Sequence, residues 1–438
     1  MPAAEPRTLR TITGAGGHPG PYELALDPAR STLATAITVA QRAEAAGIDA
    51  LFTADLLSFD AQGTIGAQEP LIFVAALSQV TSKIGLIATV STTFHHPFNL
   101  ARQFATLNHV SNGRAAWNLV TSAIGEENFG PGELPSPEER YARAAETLEV
   151  TNALWDSWQD GALQLDDTGR AVLDRSRVHP IDHVGRYFSV AGPLNIPPLP
   201  QRRPVLIQAG QSAAGVALGA QYAEIVFTSL PTLAVAQDFV TRIRAQAAGF
   251  GRADGLPLIF SSFHATFAPT EQEARRLVRE RREAIDFEAG RLQVATMLGG
   301  GVDLSELLLD APVPASLLPD LTTVNRRRGR VEIFGDFVRQ GYTLRELIVA
   351  AQDTGHWSAA GTVEQLADAV EERFRAGVLD VISLQGLADD TQHDYIVNGL
   401  LPELRRRKIV RSDAYPGATL RENLGLSLPE RIPVPAVL

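Results

Sequence analysis

Eight short, near-continuously apolar runs punctuate the chain, at 9–13, 49–54, 84–90, 115–121, 204–209, 224–228, 258–264 and 379–384. Turn residues and a helical stretch follow each of them in most of the chain. A run without polar alternation suits a strand buried on both faces, and such strands belong to parallel sheets whose crossovers are helices. Repeated βα units leave two architectures, an open doubly wound sheet or a closed barrel. Eight strands is the barrel number, so the expected fold is α/β, a (β/α)8 TIM barrel.

The intervening helices carry start and stop signals. Ser31 can cap a helix whose Leu33, Ile37 and Ala40 share a face, and Gly47 ends it. Thr362 and Gln365 have capping-box spacing, Leu366, Val370 and Phe374 recur every four residues, and Gly377 closes that helix before the last strand. At 438 residues the chain exceeds the ~250 of a bare barrel. The surplus falls in poorly periodic stretches at 122–140, 160–203 and about 290–345, and in a C-terminal extension at about 408–438. The expectation is one barrel domain over 1–438 with long insertions at the C-terminal mouth, where barrel enzymes keep their chemistry.

Several function classes are excluded. The chain has no cysteine, which removes disulfides, thiolate metal sites and cysteine nucleophiles together. A net charge of −11 opposes nucleic-acid binding, and the basic runs 326–328 and 405–408 read as helix caps or solvated faces. His95-His96 and His179/His183 lack metal-ligand geometry, since adjacent strand residues face opposite ways and Pro180 breaks the helix an i, i+4 pair needs. His96 instead suits a cap for the helix begun by Pro97, with Leu100, Phe104 and Leu107 as its core stripe. Glu126-Glu127 reads as an exposed loop. The Gly14, Gly16, Gly20 cluster fails the dinucleotide pattern because its third glycine would fall at Pro19. No signal core or membrane-length apolar stretch is seen, and a cytoplasmic enzyme with no membrane partner is expected.

Two strand ends carry chemistry. In PVLIQAGQSAAG a strand runs into Gly210, Gln211 and Ser212 and then straight into a helix rich in small residues. Free N–H groups and the positive helix end would converge there on an anion such as a phosphate, although the same serine also suits an ordinary cap. In RAAWNLVTS, Asn118, Thr121 and Ser122 end a strand with small polar groups that could hydrogen-bond a heteroaromatic ring or their own backbone. Asp55 and Thr89 end two further strands.

RQFATLNHVSNGRAAWNLVTS, together with EPLIFVAALSQVTSKIGLIATVSTTF, ERYARAAETLEVTNALWDSW, GRYFSVAGPLNIPPLPQRRPVLIQAGQSAAG, GTVEQLADAVEERFRAG and LLPELRRRKIVRSDAYPGATLRENLGL, resembles the bacterial-luciferase-like flavin monooxygenases. The similarity is to the branch of nitrilotriacetate monooxygenase, dibenzothiophene-sulfone monooxygenase and pristinamycin synthase, and it covers about 27–426. It implies the oxygenase component of a two-component system, oxidising a small organic substrate with reduced FMN and dioxygen. A separate NAD(P)H:flavin reductase would supply the FMNH2, in keeping with the missing dinucleotide loop. It implies Asp55, Thr89 and Asn118 near the isoalloxazine ring, Tyr141 on the ribityl-phosphate side, and Gly210, Gln211 and Ser212 at the phosphate. A homo-oligomer, dimer or tetramer, is the corresponding expectation. A deazaflavin-dependent oxidoreductase of the same fold and a non-catalytic flavin-binding protein stay open as alternatives. His18 and His356, both at expected mouth positions, are the candidate catalytic, substrate-side polar groups, because histidine is suited to proton transfer near neutral pH.

Overall fold

A computed structural model describes residues 7–15, 32–58, 68–130, 132–252 and 255–432. His18 lies outside the described residues. Eight strands close into a barrel: β1 (Arg10–Gly14), β2 (Ala50–Thr53), β3 (Gly85–Ser91), β4 (Ala115–Val120), β5 (Val205–Ala209), β6 (Ile225–Phe227), β7 (Leu258–Phe267) and β8 (Val381–Leu384). Every neighbour pairing is parallel, and β8 returns to pair with β1. All eight expected apolar runs are these strands, so the TIM-barrel expectation holds.

Strand alternation divides the core in two. Ile12, Ala50, Ile87, Ala116, Ile207, Ile225, Phe260 and Val381 point inward and form one apolar cluster. Their neighbours, among them Leu51, Leu86, Ala88, Trp117 and Ile382, face outward and pack under the helices. Leu420 and Leu424 of the C-terminal segment complete the inner cluster, so this extension stoppers the barrel end opposite the mouth.

Ser31, the expected cap of the first helix, lies outside the described residues. The helix α1 (Thr32–Ala45) is followed by Gly47 at φ +73°. Two further helices are α2 (Pro70–Ser78) and α3 (Pro97–Val110); His96 caps α3, its ring nitrogen accepting from Phe98 N, with Leu100, Phe104 and Leu107 buried. Next come α4 (Pro137–Asp156), α5 (Ala213–Tyr222), α6 (Leu233–Gly249) and α7 (Glu271–Glu283). The helix at Val363–Arg375 carries the full capping box, Thr362 with Gln365. Thr362→Ala is expected to lower stability by about 1 kcal/mol. A denaturant midpoint unchanged by the substitution would mean that the box contributes nothing.

Two segments differ from the sequence reading. The stretch 290–345, read as poorly periodic, contains most of α8 (Phe287–Met297), all of α9 (Arg328–Arg339) and the start of α10 (Leu344–Gln352). These helices share their own cluster, including Val294, Leu298, Phe334, Val338, Leu347 and Ile348. A core built from three short helices and their connecting loops leaves no long single-period signature. A strand over Trp357–Gly361, unexpected in the sequence, pairs with the outer half of β7, from Phe263 to Phe267. Its WSAAG sequence has too little β-branched content to announce a strand.

Candidate active site

The C-terminal strand ends surround a cavity of about 350 Å³. Asp55, Thr89, Tyr141, Gly210, Gln211 and Ser212, each singled out in the sequence, all line it. Asp55 stands just beyond β2; burial pushes its carboxyl up, with Glu69 adding and the Leu56 N–H and His95 opposing. Thr89 on β3 and Asn118 on β4 are cross-strand partners. Asn118 Nδ2 donates to Thr89 Oγ1 at 2.9 Å, while Asn118 Oδ1 is buried without a partner. Thr121 and Ser122 line the same wall.

The strand-to-helix turn after β5 is the most constrained part. Ser212 caps α5, accepting from Gly215 N at 3.3 Å. A Cβ on Gly210 would stand 2.6 Å from Gln208 Nε2, 2.7 Å from the Tyr141 hydroxyl and 3.3 Å from Gly215 Cα. A Cβ on Gly215 would come 2.8 Å from the same hydroxyl. The two glycines let the Tyr141 hydroxyl approach the turn closely, and the N–H groups at the start of α5 beside it can hold an anion.

The sequence reading missed the cationic wall. Arg327, Arg328, Gly329 and Arg330, at the start of α9, line the cavity beside Arg140 and Asn325. The run 326–328, read as a cap or a solvated face, is partly both: Arg327 is the N-cap of α9, and Arg326 pairs with Glu126. Arg328, however, turns to the cavity side and pairs with Glu138 at 2.8 Å. Arg140 donates to Asn325 Oδ1 at 2.6 Å and to its carbonyl at 2.8 Å, which ties this segment to α4. A Cβ on Gly329 would lie 2.9 Å from Gln211 Cβ and 3.2 Å from Ser212 N, so the starts of α9 and α5 meet. The one sequence signal was a glycine inside a basic run, RRRGR, ahead of an amphipathic helix.

His356 lies next to this wall without being among the lining residues. Its ring stacks on Phe227 at 5.3 Å, and its Nε2 is 3.4 Å from Ser229 Oγ. Burial, with Arg330 and His264 adding, pushes the imidazole down to about 3. The unfolded chain protonates near the ordinary 6.5. A histidine pKa depressed by folding gives stability that is complete above 6.5 and is lost as pH falls toward 3. The denaturation midpoint should therefore drop between about pH 6.5 and pH 4, and drop less in His356→Gln. Parallel declines in the two proteins would show that the ring is not held neutral.

No group of three or more metal-capable side chains occurs among the described residues, and His183 faces Glu146 at 3.2 Å. No described helix is long and apolar enough to cross a membrane.

The sequence profile described as luciferase-like monooxygenase matches residues 11–380, most of the chain. The chain belongs to the luciferase-like monooxygenase family. This luciferase-like monooxygenase is 39% identical over 398 residues to the N-acetyl-S-(2-succino)cysteine monooxygenase of Bacillus subtilis, covering 89% of each chain. It is 37% identical to nitrilotriacetate monooxygenase component A of Aminobacter aminovorans, covering 83% of this chain and 80% of that protein. A riboflavin lyase crystal structure with modified FMN and riboflavin superposes with a TM-score of 0.83 at 29% identity, covering 96% and 97% of the two chains. The protein is an FMN-dependent monooxygenase of this two-component family, with dioxygen as co-substrate.

Proposed function

We propose that the cavity seats FMN with its phosphate at the start of α5 and its ring toward Asp55, Thr89 and Asn118. The glycine cradle under Tyr141 carries this reading: a Cβ at Gly210 or Gly215 would fill it, and it lies at the positive end of α5. Gln211, whose side chain exchanges two hydrogen bonds with the Ser229 backbone, holds the turn in shape. Ser212 and the Tyr141 hydroxyl supply polar contacts to the phosphate, and the unpartnered Asn118 Oδ1 accepts a ring N–H.

Bound reduced FMN supplies the electrons and, with dioxygen, the oxygen-transferring chemistry. The chain's part is to orient and enclose. Phe227 and Phe52, 5.7 Å apart, give an apolar floor, and the α8–α10 segment, tied to α4 through Asn325 and Arg140, walls the mouth against water. His356, neutral and hydrogen-bonded to Ser229, and His18 are the polar groups assigned to the substrate side. Reduced FMN comes from a separate NAD(P)H:flavin reductase, the arrangement suggested by the name component A of the nitrilotriacetate relative. The cytoplasm, where NAD(P)H is available, is the setting this pairing needs.

Anaerobic titration with oxidised and reduced FMN tests the seat. Reduced FMN should bind, and NADH oxidation should require an added flavin reductase. Binding of neither redox form would remove the proposal; NADH oxidation by the chain alone would remove the reductase.

A further inference from the structure

The cavity holds more positive charge than one phosphate seat explains. Among the described lining residues Asp55 is the only carboxylate, against Arg140, Arg327, Arg328 and Arg330. Arg140 is engaged by Asn325, and Arg328 by Glu138. Arg330 is different. Its Nη1 is buried with no hydrogen-bond partner, and no ion pair to it occurs among the described residues. Burial, with Arg327 adding, pushes its guanidinium down to about 10, so it stays charged at neutral pH. A buried guanidinium nitrogen without a partner is costly, and no carboxylate pairs with Arg330 among the described residues.

Its place is separate from the phosphate seat. Gly329 faces Gln211 and Ser212, but Arg330, one residue on, reaches Gly355: its Nη1 is 3.8 Å from where a Cβ on that glycine would be. Next to it is His356, whose Nδ1 is also buried without a partner. In the tautomer that lets Nε2 accept from Ser229 Oγ, the proton sits on Nδ1 and is free to be donated. On the far side, His264 and Arg281 share Asp353, at 3.8 and 3.2 Å, so that carboxylate is already taken. A guanidinium nitrogen and an imidazole nitrogen, both buried without a partner, thus lie at the edge of a cavity whose described lining has a single carboxylate.

We infer that Arg330 and His356 form a carboxylate-binding corner, so that the oxidised substrate is a small organic acid anchored through its carboxylate. Guanidinium and carboxylate match as two parallel N–H···O bonds, which fixes orientation as well as affinity. The anchor would hold one end of the substrate while the remainder reaches the flavin, and an ester or amide of the same skeleton would bring no negative charge to the guanidinium. This inference rests on the proposed FMN seat at α5.

The test uses the full chain with FMN bound and (carboxymethylthio)succinate, a thioether tricarboxylate, as probe, with its trimethyl ester as the uncharged control. Calorimetry should show binding of the acid and at least about 100-fold weaker binding of the ester. Arg330→Gln should weaken the acid by a similar factor and leave FMN affinity within a few-fold, and Arg330→Lys should recover part of it. Equal binding of acid and ester by the unaltered protein overturns the inference, whatever the variants do. Loss of FMN affinity in a folded Arg330→Gln protein also overturns it, because Arg330 would then serve the phosphate. If the unaltered protein binds no FMN, the flavin seat falls as well, which separates the two failures.

Discussion

Gly210→Val should weaken FMN binding about 100-fold or more and reduce turnover with it, leaving the fold intact. The first atom added would already be 2.6 Å from Gln208 Nε2 and 2.7 Å from the Tyr141 hydroxyl. The glutamine end can swing aside, but the tyrosine ring is carried by a long helix, and the third neighbour, Gly215 Cα at 3.3 Å, is backbone. The two valine methyls therefore have to displace the start of α5, where the proposed seat depends on convergent N–H groups. Flavin fluorescence titration of oxidised FMN reads the affinity, and far-ultraviolet circular dichroism reads the fold. Unchanged affinity in a folded variant would move the phosphate elsewhere in the cavity.

The largest stability effect should come from the opposite end of the barrel. Arg421 is almost fully buried, at 1% exposure. It pairs with Glu224, just before β6, and donates to the carbonyls of Ser427, at 3.0 Å, and Arg203, at 3.2 Å. Arg421→Ala removes the ion pair of Glu224, leaving it the Leu206 N–H at 2.9 Å and the charge of Arg252 among the described residues, and loosens the plug formed by Leu420 and Leu424. A loss of about 3–5 kcal/mol is expected, the usual result of removing one partner from a buried pair. A second removal, Arg421→Met with Glu224→Gln, should restore part of it because no bare charge is left. Urea midpoints measure both, and FMN affinity of the folded variants should stay near that of the unaltered chain, since the plug is remote from the mouth. A midpoint shift below about 1 kcal/mol would mean that the pair is solvated rather than structural.

The candidate site was only half visible beforehand. Asp55, Thr89, Asn118 and the Gly210–Ser212 turn could be placed because each stands at a strand's C-terminal end, and in a parallel barrel all such ends share one face. The basic wall could not be placed in this way. Arg327 and Arg330 belong to an insertion, and nothing in their local spacing says which strand end the insertion folds back upon. Glu126 shows the same limit, because as an isolated loop residue it looks solvated, whereas in the fold it pairs with Arg326.

The sequence by itself determined the barrel. Apolar runs, helix caps and four-residue stripes are short-range features, and each acts through neighbours at i+3 or i+4 or through alternate strand residues. Once eight such units exist, parallel pairing and helical crossovers leave little choice of architecture. Only the tertiary structure decided which distant pieces complete it: Gly329 laid against Ser212, Arg330 beside His356, Trp357–Gly361 added to β7, and Leu420 sealing the barrel floor. Those contacts join residues far apart in the chain, and their energy comes from burial and charge pairing that exist only after the barrel has closed.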